Sequence, residues 1–401
     1  VKTRLPFRFL LAEALIKALG YSSAVVVLLI VFFLFKEGVG LFTRPPINED
    51  MTVAASPARS QTRLSTAQLV AVFDKEITDW AELDGAPGTI LPISPDNIEK
   101  VLKGVPLDEA TLERDIPRLL DSLVVAQPGV LLIFPAALLP ANVQPLDVDP
   151  QTLGGFLRGR NWYPTKNPVP EFGAISLIAG TALVTLLAIL IALPLGLAVA
   201  IFLAEIATPA MRGLIKPAIE LLAGIPSVVY GFFGLVVLVP MLQQALDLST
   251  GKTALAGGII LAIIALPTII TLSEDALRTT PRALKEASLA LGATHWQTIV
   301  RVVVPFGFSG IAAATILGVG RAVGETMAVL MVTGNAAILP ESIASPVRTL
   351  TATIAAELGE APQGGPHYRA LFVVGMVLFV ITFAFNLLAD FIVKRKRINL
   401  N

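Results

Sequence analysis

The chain contains no cysteine in 401 residues, so disulfides, thiolate nucleophiles and cysteine-ligated metals are excluded. Histidine is nearly as scarce: His295 and His367 are its two imidazoles, and a metal site built on them would still need carboxylates. No such cluster is evident. Charge is sparse as well. Asp, Glu, Lys and Arg make up 15% of the residues and cancel to a formal net charge of zero, which removes the basic surplus of a nucleic-acid binder. No G-x-x-x-x-G-K-[ST] sequence occurs, so ATP cannot be cradled by that route. A nucleophile–base constellation is missing too. What remains is apolar: 54% hydrophobic residues and a mean hydropathy of +0.75, the composition of a membrane protein.

A charge at mid-bilayer costs about 2.5–3.5 kcal/mol even on the lenient insertion scale, so uncharged windows locate the spans. They fall at 18–35, 172–204, 221–246, 253–273, 302–340 and 370–389, the fifth interrupted only by Arg321 and Glu325. The first has the basic flank of a signal sequence without a small-x-small cleavage site, and is expected to be a retained anchor. The expected fold is an all-α polytopic membrane protein of six transmembrane helices plus a small mixed α/β extracytoplasmic insert. The expected divisions are 1–40 (N-terminus and first span), 41–155 (insert) and 156–401 (a five-helix core with a cytoplasmic loop at 276–305).

Basic residues of the short flanks set the orientation. Lys2, Arg4, Arg8 and Lys17 precede the first span, Arg212 and Lys216 follow the second, and Arg278, Arg282, Lys285 and Arg301 follow the fourth. Lys394-Arg395-Lys396-Arg397 follows the last. With six spans all of these share one side, so both termini and the 286–305 loop are expected to be cytoplasmic. Residues 36–171 contain no window long enough to span and are expected outside. Within them, 66–74 reads as a short helix and 75–83 as a turn anchored by Trp80. Residues 128–135 read as a buried strand, because Val130-Leu131-Leu132-Ile133-Phe134 is continuously apolar.

Three features carry the functional reading. In the loop at 286–305, Leu284, Ala287 and Leu291 fall at helical spacing. Gly292 then permits a tight turn, and a second apolar stretch runs to Pro305. A helix–Gly–helix element at a membrane surface suits another protein's groove. Next, Pro194, Gly224 and Pro226 are expected to break the second and third spans around a central path, since irregular backbone survives at membrane depth only against protein or water. Finally, Arg321 and Glu325 lie one helical turn apart. Ionisable residues in a span usually face a partner or a pathway. A guanidinium suits a tetrahedral oxyanion through its two parallel donors, and Glu325 is expected to pair with Arg321 when the path is empty. Thr326, Thr315 and Ser309 are candidate polar neighbours.

These residues resemble a known family. Glu286-Ala287-Ser288, Gly292 and Val304-Pro305 resemble the EAA loop of ABC-importer permeases, with Ser288 where the pattern most often has Ala. Gly320-Arg321-Ala322-Val323-Gly324-Glu325-Thr326 is similar to the GRAxGET signature of permeases in phosphate-specific ABC importers. Residues 220–235 and 367–390 also resemble those permeases, and the tail and the Phe172-Gly173 entry look closer to the PstC-type than to the PstA-type subunit. In the insert, 67–83 looks like the IF-x-G-x-I-T-x-W-x-E-L segment of periplasmic phosphate-binding proteins, and 127–134 resembles their PGAIGY strand.

The resemblance implies a non-catalytic permease subunit in the bacterial inner membrane. It implies pairing with a PstA-type permease, a PstB-type ATPase dimer that holds ATP and Mg, and an outer PstS-type phosphate-binding protein. It also places Arg321 and Glu325 in translocation and the 286–305 loop against the ATPase. Arg321 alone does not separate phosphate from sulfate or molybdate. A stand-alone anion channel, a secondary transporter or a phosphate sensor are the readings from other classes.

Overall fold

The computed structural model describes residues 7–58, 62–98 and 109–397. Among these, six helices are long and apolar enough to cross a membrane: Glu13–Thr43, Ile175–Ile206, Ser227–Ala245, Ala254–Arg278, His295–Gly324 and Pro366–Leu388. The protein is a six-span helical membrane protein carrying a small α/β insert. Its residues cluster into two compact units.

The first unit, Val1–Leu153 with Tyr163–Glu171 and Ala361–Met376, opens with α1, Phe7–Thr43. This first span clusters with the insert. Phe33 meets Phe372 edge-on at 5.6 Å between ring centroids. Just beyond α1, Glu49 accepts hydrogen bonds from buried Arg369 at 2.6 Å and from Arg44 at 2.8 Å. The Arg369 guanidinium, then Arg44, hold the Glu49 carboxyl below the usual carboxylate range.

The insert is a sheet between two helices. Its strands are β1 (Met51–Ala55), β3 (Leu91–Ile93), β4 (Val130–Pro135) and β5 (Gln144–Pro145), in the order β3-β4-β1-β5. A separate parallel pair joins β2 (Arg63–Leu64) to β6 (Asp147–Val148). Strand β4 runs antiparallel to β1, Val53 opposite Ile133, and parallel to β3.

Period-two alternation explains the continuous apolar run of β4. Leu131 and Ile133 pack with Leu69 and Val72 of α2 (Thr66–Phe73) and with Trp80. Val130, Leu132 and Phe134 pack on the other face with Ile116, Leu120 and Val124 of α3 (Glu109–Ala126). Helix α2 starts where Ser65 and Gln68 close a capping box. Trp80 is fully buried and donates to the Gly129 carbonyl at 3.0 Å.

Lys166 ties the strap after the insert to the end of α2, bonding Asp74 at 2.7 Å and also Glu171. Burial lowers the Lys166 pKa, but the hydrogen bonds to Asp74 and Glu171 outweigh it and leave the ammonium above the usual lysine range.

The second unit comprises Gly154–Trp162, Phe172–Glu360 and Val377–Asn401. After the short α4 (Leu153–Arg158), α5 (Ile175–Ile201) ends in a π turn, Phe202–Ile206. Then comes α6 (Pro209–Ala223), started by Thr208 accepting from the Met211 N–H. The third span is α7 (Ser227–Phe233), a π turn and α8 (Val239–Ala245). Helix α9 (Ala254–Arg278) is the central one, with 61% of its most apolar window buried against 33% or less in every other span. Its Ile260, Leu261 and Ile264 share a core with Val184 and Ala188 of α5 and with Tyr230.

Next come α10 (Arg282–Ala290), α11 (His295–Thr298), a π turn and α12 (Val304–Gly324). Two short helices, α13 (Met327–Val332) and α14 (Leu350–Glu357), precede the last helix α15 (Pro366–Arg397). Pro240 and Pro305 each follow a π turn closely, which absorbs the ladder bond that a proline nitrogen cannot make.

Three expectations are corrected here. Pro194 does not break the second span: α5 runs through it without interruption, its freed carbonyl tolerated inside a long apolar helix. The third span starts at Ser227, because residues 221–223 finish α6. The fifth span stops at Gly324, and the stretch to Pro340 holds a separate short helix and a turn.

Candidate functional site

The 286–305 loop folds as two helices around a glycine. Helix α10 closes with a Schellman motif in which the Gly292 N–H bonds the Leu289 carbonyl at 3.0 Å and the Ala293 N–H bonds that of Ser288 at 3.2 Å. Gly292 has φ +84°, the left-handed region that glycine enters without penalty. Thr294 and Gln297 then form a capping box that starts α11, and Pro305 lies in the first turn of α12.

No residue of α10 is buried. Leu291 is 90% exposed and Trp296 61%, and Glu286 and Ala287 are exposed as well. The element therefore offers apolar side chains without covering them, the pattern of a docking surface.

The structure places Arg321 and Glu325 differently from the sequence expectation. Arg321 is in the last turn of α12, but Glu325 caps that helix in an extended conformation (φ −70°, ψ 131°). The two no longer share a helix face, and among the described residues no ion pair joins them. Gly324 ends the helical geometry before the i+4 position is reached.

Arg321 is exposed and donates to Thr268 Oγ1 at 3.4 Å. The Glu325 carboxylate instead accepts from the Thr326 N–H at 3.2 Å, and its carbonyl accepts from Thr351 Oγ1 at 2.8 Å. The Thr326 hydroxyl bonds the Gly324 carbonyl, and that of Thr315 bonds the Ile311 carbonyl.

Gly224 and Pro226 frame the turn between α6 and α7. One turn later Tyr230 donates to the Leu222 carbonyl at 2.8 Å and lies in the electrostatic field of Arg321. Gly224 and Pro226 thus frame a turn closed by Tyr230, whereas Pro194 sits within α5.

Comparison with known proteins decides the family. The family described as binding-protein-dependent transport system inner membrane component matches residues 192–398. The chain belongs to this family. It is 46% identical over 243 residues to the probable ABC transporter permease protein YqgH of Bacillus subtilis (strain 168), covering 61% of this chain and 78% of that protein. It is 42% identical over 260 residues to the phosphate transport system permease protein PstC of Mesorhizobium japonicum, covering 60% and 78% respectively. Among solved structures, the inward-facing MetNI methionine ABC transporter aligns at 22% identity with a TM-score of 0.42, covering 56% of this chain and 94% of that one.

The permease also contains a charged cluster that the sequence reading passed over. Glu274, in the last turns of α9, has a fully buried side chain. Its carboxylate lies 2.9 Å from Lys216, 3.5 Å from Arg278 and 3.6 Å from Arg212. The hydrogen bond to Glu274 lifts Lys216 above the usual lysine range, against the opposing effect of burial. Arg212 also donates to the Leu203 and Ala204 carbonyls at the end of α5, satisfying groups a helix terminus leaves open.

A second pair joins Glu205 of the same π turn to Lys285 of α10 at 2.6 Å. The core therefore holds a fully buried acid, Glu274, while Glu325 is half-buried. The signal was present in the four-residue spacings Arg212–Lys216 and Glu274–Arg278, which put each pair on one helix face.

Proposed function

We propose that this permease is one membrane subunit of an ATP-driven phosphate importer. The observation that carries the substrate is the 42% identity to a phosphate transport system permease over 78% of that protein's length. The exposed guanidinium of Arg321 supports it, because such a group donates paired hydrogen bonds to a tetrahedral oxyanion. The subunit itself carries no chemistry. A PstB-type ATPase dimer holds ATP and Mg, a PstA-type permease completes the path, and a PstS-type protein delivers phosphate from outside.

Both termini and the α10–α11 loop face the cytoplasm, in keeping with the basic flanks. ATP binding closes the ATPases, α10 and α11 move with them, and the bundle opens outward. Hydrolysis resets it inward. The insert stands outside as a docking or spacing body.

Labelled-phosphate uptake in cells where this system is the sole importer, with native chain and Arg321→Gln compared, tests the reading. ATP-dependent uptake that is lost in the variant while the complex still assembles is the expected result. Native uptake of sulfate or molybdate in place of phosphate would overturn the substrate assignment. Uptake unchanged by Arg321→Gln would remove Arg321 from the path.

A further inference from the structure

We propose that the Lys285–Glu205 ion pair is the strut through which movement of the α10 helix reaches the second transmembrane helix. The inference rests on the ATP-driven reading and assigns a positioning role to two residues outside the family patterns quoted above.

Helix α10 has no fully buried residue, so apolar packing grips it only loosely. A cavity of about 210 Å³ lies beside it, lined among others by Glu205, Lys285, Glu286, Leu289 and His295. Among the described residues, two side-chain polar contacts hold the helix. Ser288 shares a hydrogen bond with Thr298 at 2.9 Å, which ties α10 only to the helix that follows it in the chain. Lys285 bonds Glu205 at 2.6 Å, which ties it to a segment 80 residues earlier.

The Glu205 side chain is 6% exposed and that of Lys285 24%. A nearly enclosed carboxylate with its cation in place resists separation, because removing one partner strands a charge. Glu205 does not stand alone. The adjacent Leu203 and Ala204 carbonyls accept from Arg212 of α6, and Arg212 and Lys216 hold Glu274 of α9. A displacement of Lys285 thus acts on a polar group fastened in turn to α6 and to the central helix. A contiguous set of hydrogen bonds and ion pairs is the kind of connection that carries coupling.

The experiment uses the complete transporter reconstituted in liposomes and reads phosphate taken up per ATP hydrolysed, in the native chain, Glu205→Gln, Lys285→Met and the exchanged pair Glu205→Lys with Lys285→Glu. The ratio does not depend on how much complex assembles, so a merely structural role leaves it unchanged. The expected result is a fall of roughly 5–150-fold in both single variants, the range of ordinary coupling energies, with recovery in the exchanged pair. An unchanged ratio in the single variants overturns the strut, as does an exchanged pair no better than they are.

Because the chain has no cysteine, Glu205→Cys with Lys285→Cys gives a second route where a single variant fails to assemble. Uptake that appears on cross-linking and disappears on reduction supports the strut; cross-linked complex that hydrolyses ATP without uptake overturns it. A native complex that hydrolyses ATP but takes up no phosphate strikes instead at the substrate reading.

Discussion

Gly292 is the position where a single methyl group tests the proposed coupling surface. Its φ of +84° lies in the left-handed region, and a Cβ built there meets no heavy atom within 4 Å. The cost of Gly292→Ala is therefore conformational, with no steric part. Left-handed backbone costs an L-residue roughly 1–2 kcal/mol, and 1.4 kcal/mol is about a factor of ten in an equilibrium constant. The equilibrium constant for forming the Schellman turn between Leu291 and Trp296 should accordingly fall about five- to thirty-fold. Asparagine tolerates the left-handed region far better than alanine, so Gly292→Asn should recover most of the loss. The assay is the affinity of the membrane complex for its ATPase subunit, followed by uptake. Equal damage from Ala and Asn would refute the backbone argument, because it would point to the added volume. A harmless Gly292→Ala would show that the turn is not needed for docking.

Three other perturbations have directions fixed by the structure. A Cβ on Gly180 would stand 2.4 Å from the Arg348 carbonyl oxygen, a backbone atom with little room to yield; Gly180→Ala should cost about 1–3 kcal/mol by overpacking, read as a lowered Tm. Glu274→Gln removes the charge that three cations surround. Their side chains are 25%, 27% and 48% exposed and can rehydrate, so the thermal-unfolding loss should fall below the roughly 3–5 kcal/mol of a fully enclosed pair. The Glu49 carboxyl is held below its ordinary value of 4.5 by Arg369 and Arg44. Its stabilising effect is therefore complete above that value and lost as pH falls through the lower folded value. Amide protection of the insert, taken relative to the intrinsic exchange rate at each pH, should fall in acid in the native chain, and Glu49→Gln should flatten that dependence.

The spans were legible because a bilayer imposes a rule on every residue in a window, and the uncharged windows obeyed it. Strand β4 was legible for a similar reason: both its faces are buried, so five successive apolar residues marked it. Helix α3 was not. Its sequence mixes acids, arginines and Pro117, and only the packing of Ile116, Leu120 and Val124 under the sheet fixes it. At span ends the same charge rule misled, because ending the fourth span at Ser273 left Glu274 outside the membrane helix, where a buried carboxylate was not sought. The four-residue spacing of Arg321 and Glu325 implies one helix face, but the helix ends at Gly324 and Glu325 leaves it. Spacing states what a helix would bring together, and the terminus decides whether it does.

Arg321 and Glu274 show how the permease handles opposite charges in an apolar chain. Glu274 is enclosed, and its chain supplies the compensation: three cations from two helices within 3.6 Å. Arg321 is exposed, and its chain supplies one hydroxyl at 3.4 Å. A guanidinium has five N–H donors and cannot shed its charge. Among the described residues no carboxylate lies within ion-pair distance of it, since Glu325 has turned onto the Thr326 N–H. A charge left so on a membrane span is tolerated only where water, an anion or a neighbouring subunit solvates it. The compensation for Glu274 is built in, as a residue holding helices together requires, whereas Arg321 is left to water, an anion or a neighbouring subunit, in keeping with the path proposed for it.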